Sequence, residues 1–472
     1  MIAVGSALEP FVGKQIMASN PPELCEILFF EGAVRSSKTI VSLQWWVGFL
    51  RRAPAGQTLM VGVTIDTLIR NLLMPLQELY GANRITWSRG TGMANILGRE
   101  VIIMGASDVR SFSKVQGLTL VGAYVDELTN MREDFFDMLN SRMSAVGARI
   151  IATCNPEGPK HWLLVKYLRR CKWWIQRDGA RNFSTEDVQI DGKPEVRMPW
   201  MRVTFVLEDN VWLCRNNPTY VANIKKSKTG VFYRRMILAE WVSADGMVYD
   251  AFDPAVHTIP LEHLPTIERV LSASLDYGQA HDTRGYLLGL GQYQVNARTG
   301  RPRWHAPAST DPHTTRYGLF VLAEYAPEAA MTVGAHASGF EAFLKAHAHW
   351  GDPEWIFVDP AALAFKTEMW SRGHQNAVGA HNKVLPGIQT VQGLLATGGL
   401  FIVAENNPKL VDMIPAYMWS TKAAERGVTA VLKENDDEAD AMRYLVFSPR
   451  AAWRQYISLA PVSESEPEAE AA

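Results

Sequence analysis

Across the first half of the chain, short apolar runs alternate with longer stretches of helical character. Strands are predicted over Ile27–Phe30, Leu59–Val63, Glu100–Met104, Leu118–Val125 and Arg149–Thr153, and helices near Lys38–Arg51 and Thr67–Tyr80. That alternation is what a parallel sheet covered by helices requires, so an α/β fold is expected. The segment Gly246 to Pro265 (GMVYDAFDPAVHTIPLEHLP) carries three prolines and few periodic apolar positions, and reads as the crossing into a second domain. A new strand is predicted over Arg269–Leu275, and a second α/β pattern follows. The expected division is a first domain over 1–250, a linker over 251–265 and a second domain over 266–456. An acidic, low-complexity tail over 457–472, ending PVSESEPEAEAA, is expected to be disordered.

Length supports the division, because 472 residues exceed what one hydrophobic core serves and suggest two domains of roughly 200 residues. No run approaches the roughly 18 apolar residues that cross a bilayer, and no basic segment precedes an apolar one at the start, so a soluble intracellular protein without a membrane partner is expected. Cys25, Cys154, Cys171 and Cys214 lack any C-x-x-C spacing, which argues against structural zinc or a disulfide framework. Net charge is only −2, but its distribution is uneven. Between Lys160 and Arg181 seven basic residues face one acid, Asp178, with Trp162, Tyr167, Trp173 and Trp174 interleaved. Lys225, Lys226, Lys228, Arg234 and Arg235 form a second cluster. Such patches suit a phosphate backbone, although a solvated basic face has the same composition.

The strand Ile27–Phe30 runs directly into GAVRSSKT, Gly32 to Thr39, the layout of a phosphate-binding loop between strand and helix. Backbone N–H groups of Gly32, Arg35, Ser36 and Ser37, with the positive end of the next helix, would cradle a nucleotide phosphate. Lys38 would reach the β/γ-phosphates and the Thr39 hydroxyl would hold Mg²⁺. Ser37 stands where the usual pattern has its second glycine. A second strand, Leu118–Val125, ends in Asp126-Glu127, placing one carboxylate to hold the metal and the next to polarise the attacking water. A third ends in Thr153-Cys154-Asn155-Pro156, where Thr153 or Asn155 can sense the γ-phosphate and pass hydrolysis on to the adjacent basic-aromatic stretch. Helix capping and a plain strand-to-loop turn explain the same residues without a ligand.

In the second half Asp276 follows one strand, Asp359 follows Trp355–Val358, and Asp440 lies in DDEADAMRY at 436–444. Two Mg²⁺ or Mn²⁺ ions about 4 Å apart need several hard carboxylates from different elements. If 437–447 is helical, Asp437 and Asp440 share one face.

In this order GAVRSSKT, VDE at 125–127, ATCNP at 152–156 and LAEWVSADGMVYDAF at 238–252 resemble the large terminase subunits of tailed bacteriophages, over roughly residues 10 to 450. The resemblance implies a P-loop ATPase domain that drives double-stranded DNA into a procapsid through the portal protein, and a ribonuclease H-like domain that cuts the concatemer. It implies ATP with Mg²⁺ at Lys38, Thr39 and Asp126, Glu127 as base, and Thr153 and Asn155 as the coupling motif. Asp276, Asp359 and the helix reading Asp440-Ala441-Met442-Arg443-Tyr444 would hold two further metal ions. Asp437 stands where many relatives have histidine, and Gln15 where an adenine-contacting glutamine is often found. Gln116-Gly117 replaces the arginine that often precedes the second strand, leaving Arg35, Arg110 and Arg142 as candidates to neutralise phosphoryl charge. His281 and Asp282 are read as peripheral, and His347 and His349 as packing or surface residues. The implied partners are a small terminase subunit and sister copies in a portal-docked ring, a pentamer, in the host cytoplasm and absent from the mature virion. A nucleotide-switched DNA-binding protein and a helicase-like repair ATPase-nuclease are the competing readings.

Overall fold

The computed structural model describes residues 10–106, 115–190, 192–278, 283–296, 298, 302–304, 314–327, 331–433 and 436–459. Its first half is built on a ten-stranded sheet. The strands are β1 (Ile27–Gly32), β2 (Gln57–Gly62), β3 (Ile85–Ser88), β4 (Met93–Ile96), β5 (Arg99–Gly105), β6 (Leu120–Val125), β7 (Arg149–Cys154), β8 (Cys171–Ile175) and β9 (Arg181–Phe183), with β12 (Met198–Phe205) entering after a small hairpin of β10 (Val188–Ile190) and β11 (Lys193–Glu195). The order is β3-β4-β5-β2-β6-β7-β1-β12-β8-β9, and every pair from β5 to β8 is parallel.

β1 and β6 are buried along their whole length, as expected of central strands covered on both faces. Successive side chains serve opposite cores: Ile27 and Phe29 pack with Phe136, Ile150 and Trp200, whereas Leu28 and Phe30 pack with Trp46, Ile151 and Phe205. The helix Lys38–Arg52 lies close against the sheet, and a Cβ on Gly122 of β6 would fall 2.3 Å from the Phe49 ring. The expected helix over Thr67–Tyr80 is interrupted by a π-helical turn, Ile69–Leu73, before Met74–Tyr80. Pro75 explains the interruption, since it has no N–H to donate and its ring crowds the carbonyl four residues back.

The second half holds a seven-stranded mixed sheet of β13 (Thr258–Ile259), β14 (Ile267–Asp276), β15 (Arg284–Gln294), β16 (Thr315–Tyr325), β17 (Trp355–Val358), β18 (Ala377–Gly379) and β19 (Leu400–Val403). Its order is β13-β19-β16-β15-β14-β17-β18, with β14, β15 and β16 antiparallel and the flanking pairs parallel. This is the ribonuclease H-like arrangement, following the P-loop sheet. The helix Asp437–Phe447 buries Ala441, Met442 and Leu445 over β14 and β15, and Ser272 donates to the Leu445 carbonyl at 2.9 Å.

The chain between the sheets is packed into the second core, where Phe232, Val248, Tyr249 and Phe252 are buried. Val248 donates its N–H to Tyr417 O at 2.8 Å, and Trp419 donates to Gly246 O at 3.0 Å. The two halves also meet at Arg235, whose Nη1 lies 2.7 Å from Glu157 Oε2 and 2.7 Å from Thr429 Oγ1. Beside this contact Gly427 approaches the Lys160 backbone so closely that a Cβ would sit 2.7 Å from its carbonyl oxygen. Among the described residues no helix is long and apolar enough to cross a membrane.

Candidate functional site

Gly32 ends β1 with φ +137°, and a Cβ there would lie 2.0 Å from Phe205 O, so only glycine fits. The loop then turns through two left-handed residues, Arg35 (φ 56°) and Ser37 (φ 68°). Ser37 therefore holds the conformation that glycine adopts at no steric cost, a strain of about 1–2 kcal/mol. Its hydroxyl is held by Gln15 Nε2 at 2.8 Å, and Gln15 also donates to Asp209 O at 3.0 Å. Gln15 is fixed in turn by its neighbour Lys14, which is paired with Asp209 at 2.8 Å and bonded to Thr204 O at 2.9 Å. Ser36 Oγ donates to Ala33 O at 2.7 Å, closing the loop on itself. Lys38 Nζ spans the loop, donating to Ala33 O at 3.0 Å and to Asn155 Oδ1 at 2.7 Å. Burial lowers its pKa, partly opposed by Cys154, Asp126 and Glu127. Thr39 follows in the first turn of the helix, half-buried.

Asp126 stands at the tip of β6, separated from β1 only by β7. Thr153 donates Oγ1–H to Asp126 Oδ1 at 2.6 Å and accepts from the Glu127 N–H at 3.1 Å. Burial, and then the Glu127 charge, push the Asp126 carboxyl up to about 6. Glu127 is left-handed, with φ 55°, and Asn130 Nδ2 approaches its Oε2 at 3.4 Å. The tip of β7 thus joins both signals: Asn155 receives the loop lysine while Thr153 holds the acidic pair.

Of the arginines, Arg35 is exposed on the loop, within electrostatic range of Lys38. Arg142 sits at the opposite end of β6, where its carbonyl accepts from Leu120 at 3.0 Å. Six strand residues at roughly 3.3 Å each place it about 20 Å from Asp126, too far to serve the same copy's loop. Arg110, His281 and Asp282 lie outside the described residues.

In the second half Asp276 ends β14, and Asp359 follows the parallel strand β17, donating its N–H to Leu275 O at 3.0 Å. Asp437 and Asp440 occupy the first turn of the helix Asp437–Phe447. Burial, then Asp440, Asp359 and Asp437, raise the Asp276 carboxyl to about 8, and Arg443 only partly offsets this. Asp359, Asp437 and Asp440 therefore lie within electrostatic range of Asp276, the four acids coming from two strands and one helix. His347 and His349 pack with Trp350, their ring centroids 5.4 and 4.3 Å from its own, away from these acids in the fold.

No protein-family model matches the chain, and no curated protein does. Among solved structures, the large terminase of a thermophilic bacteriophage is similar with a TM-score of 0.74 and 25% identity, covering 93% of this chain and 98% of that one. The chain has a large-terminase fold. The same phage protein in complex with ATP-γ-S matches with a TM-score of 0.72, covering 93% of this chain and 99% of that one, and its ADP complex with 0.71, covering 93% and 98%, each at 25% identity.

Within this terminase fold several participants escape the sequence. Asn71, on the π-helical turn, places Nδ2 3.3 Å from Asp126 Oδ2, and nothing in its neighbourhood marks it. Lys433 lies 2.7 Å from Asp436 and 3.6 Å from Asp440, while Arg443 reaches Asp440 at 2.9 Å. Arg443 was visible as part of DAMRY; Lys433 carries no signal of its own. Among the described residues no three His, Cys, Asp or Glu side chains are gathered as ready metal ligands. The donor set nonetheless fits hard divalent cations: the groups are all carboxylates, and their mutual repulsion is what a cation would relieve.

Proposed function

We propose that the chain is a viral genome-packaging motor. It would hydrolyse ATP to translocate double-stranded DNA through the portal into the procapsid, and cleave concatemeric DNA with a two-metal endonuclease. The observation that carries this reading is the network from Lys38 through Asn155, and from Asp126 through Thr153, at one strand tip. Two residues beyond Asn155, Glu157 grips Arg235 and Thr429, so the tip that would sense the γ-phosphate continues into the half bearing the four acids. Such a chain of contacts suits a motor whose two activities share one stroke.

At the ATP site the loop from Gly32 to Thr39, including Arg35, Ser36 and Ser37, would hold the phosphates. Gln15 would border the base, and Thr39 and Asp126 would hold Mg²⁺. Glu127 would take the proton of the attacking water, and Arg35 would neutralise charge on the transferring phosphoryl group. The binding of ATP-γ-S and ADP by the similar phage terminase supports nucleotide use. At the nuclease site Asp276, Asp359, Asp437 and Asp440 would hold two Mg²⁺ or Mn²⁺ ions, which supply Lewis-acid activation of water and stabilise the departing 3′ oxygen. The basic-aromatic stretch 160–181 would meet the DNA backbone. Docking would take place on the portal, with a small terminase subunit and sister copies in a ring, in the host cytoplasm.

The deciding experiment is plasmid cleavage in Mg²⁺ and in Mn²⁺, with and without ATP, alongside ATP turnover on long duplex DNA. The reading requires turnover stimulated by duplex and metal-dependent cleavage lost in Asp276→Ala. Unwinding of a forked duplex would favour the helicase, and turnover indifferent to DNA without cleavage would favour the nucleotide switch.

A further inference from the structure

On the face of β8, β9 and β12 a cavity of about 230 Å³ is walled by Arg169, Lys172, Arg197 and Arg202, with Trp174, Asn182 and Ser184 also on it. Among the described residues no carboxylate lines it. Arg202 is already paired with the buried Glu31, and the other three cations repel each other unless an anion sits among them. Two are fixed in place: Arg197 donates to the carbonyls of Glu186, Arg169 and Cys171 at 2.8, 2.9 and 3.0 Å, and Arg202 lies 4.3 Å over the Trp174 ring. Arg169 and Lys172 have no ion-pair partner among the described residues. A solvated basic face would present mobile side chains on a convex surface. Here Arg197 and Arg202 are held in place before any ligand arrives, and the neutral side chains of Asn182 and Ser184 line the same cavity.

We propose that this cavity is a phosphodiester subsite for duplex DNA, with Arg169 and Lys172 as the phosphate-binding cations and Asn182 and Ser184 as neutral donors to the same oxygens. This rests on the DNA-handling function proposed above and locates the contact. A polymer of phosphates is favoured over a single free phosphate because positive charge continues beyond the cavity to Arg181 at the start of β9, next to β8 in the sheet. The floor of the subsite also reaches the nucleotide loop. Arg202 donates to Glu31 at 2.5 Å, Glu31 is fully buried, and the next residue is Gly32. A phosphate drawing on Arg202 therefore competes with the carboxylate that anchors the start of the loop.

The test compares the full chain with Arg169→Ala/Lys172→Ala, with Arg169→Gln alone, and with the charge-keeping Arg169→Lys/Lys172→Arg. Binding of a labelled duplex is followed by anisotropy across a salt series, and melting temperature checks folding. The expected result is a log-affinity against log-salt slope shallower by about 2 in the double alanine variant and by about 1 in Arg169→Gln, and unchanged in the charge-keeping variant. An unchanged slope in a folded Arg169→Gln, with wild-type duplex binding intact, overturns the subsite and leaves the packaging reading standing. Absence of duplex binding by the wild type overturns both. Competition with inorganic phosphate separates the sources: displacement of duplex at matched phosphate concentration reassigns the cavity to the free ion and overturns the proposal.

Discussion

Replacing Asp276 by asparagine removes a carboxyl that its surroundings in the second half of the molecule keep from ionising. Burial and the charges of Asp440, Asp359 and Asp437 raise its carboxyl from 3.8 to about 8, with Arg443 acting in the opposite sense. Between these two values the folded chain binds a proton that the unfolded chain has released. Stability of the metal-free protein therefore falls as pH rises through this window. One pKa unit corresponds to about 1.4 kcal/mol, so the three pH units from about 5 to 8 set a ceiling near 4 kcal/mol, and relaxation of the acids brings it down to about half of that. The neutral amide of Asp276→Asn has no such dependence. Urea unfolding of both proteins in chelator, at intervals from pH 5 to 8, should show the variant gaining on the wild type by about 2–4 kcal/mol as pH rises. Mg²⁺ should stabilise the wild type more at pH 8 than at pH 5, and the variant much less at either. Parallel pH profiles for the two proteins in chelator would refute the reasoning, because they would mean that neither burial nor the other three carboxylates raises the Asp276 carboxyl.

Glu127→Ala should lower ATP turnover by about 100-fold or more while a fluorescent ATP analogue still binds. Asp359→Ala should spare ATPase activity and remove plasmid cleavage; unchanged nicking would sink the two-metal assignment. Arg235→Ala strands Glu157 at the contact between the halves, where the arginine side chain is only 2% exposed, and should cost about 3 kcal/mol in denaturant unfolding. Lys433→Ala removes a cation lying 2.7 Å from Asp436 and 3.6 Å from Asp440, and should tighten Mn²⁺ binding measured by calorimetry, with Asp276→Ala as the control. Weaker binding would show that Lys433 does not compete with the metal.

The sequence by itself determined the elements and the ends of the strands that carry chemistry. Apolar runs located β1, β6, β7, β14 and β17 to within a few residues, and DDEADAMRY marked the helix Asp437–Phe447. These features are legible because a strand's apolar run, the turn that ends it and the acids of a helix's first turn are adjacent in the chain. Tertiary structure alone decided which tips lie together and what surrounds them. The order β6-β7-β1 brings Asn155 to Lys38 across 117 positions, and Gln15 meets Ser37 across 22 positions while its neighbour Lys14 pairs with Asp209. Spacing could not show that Arg142 lies at the opposite end of β6 from Asp126. Asn71, Lys433 and the closing of the cavity around Lys172 by Arg197 and Arg202 were likewise invisible, since each depends on approach between distant segments, and the energy of such contacts leaves no local periodicity to read.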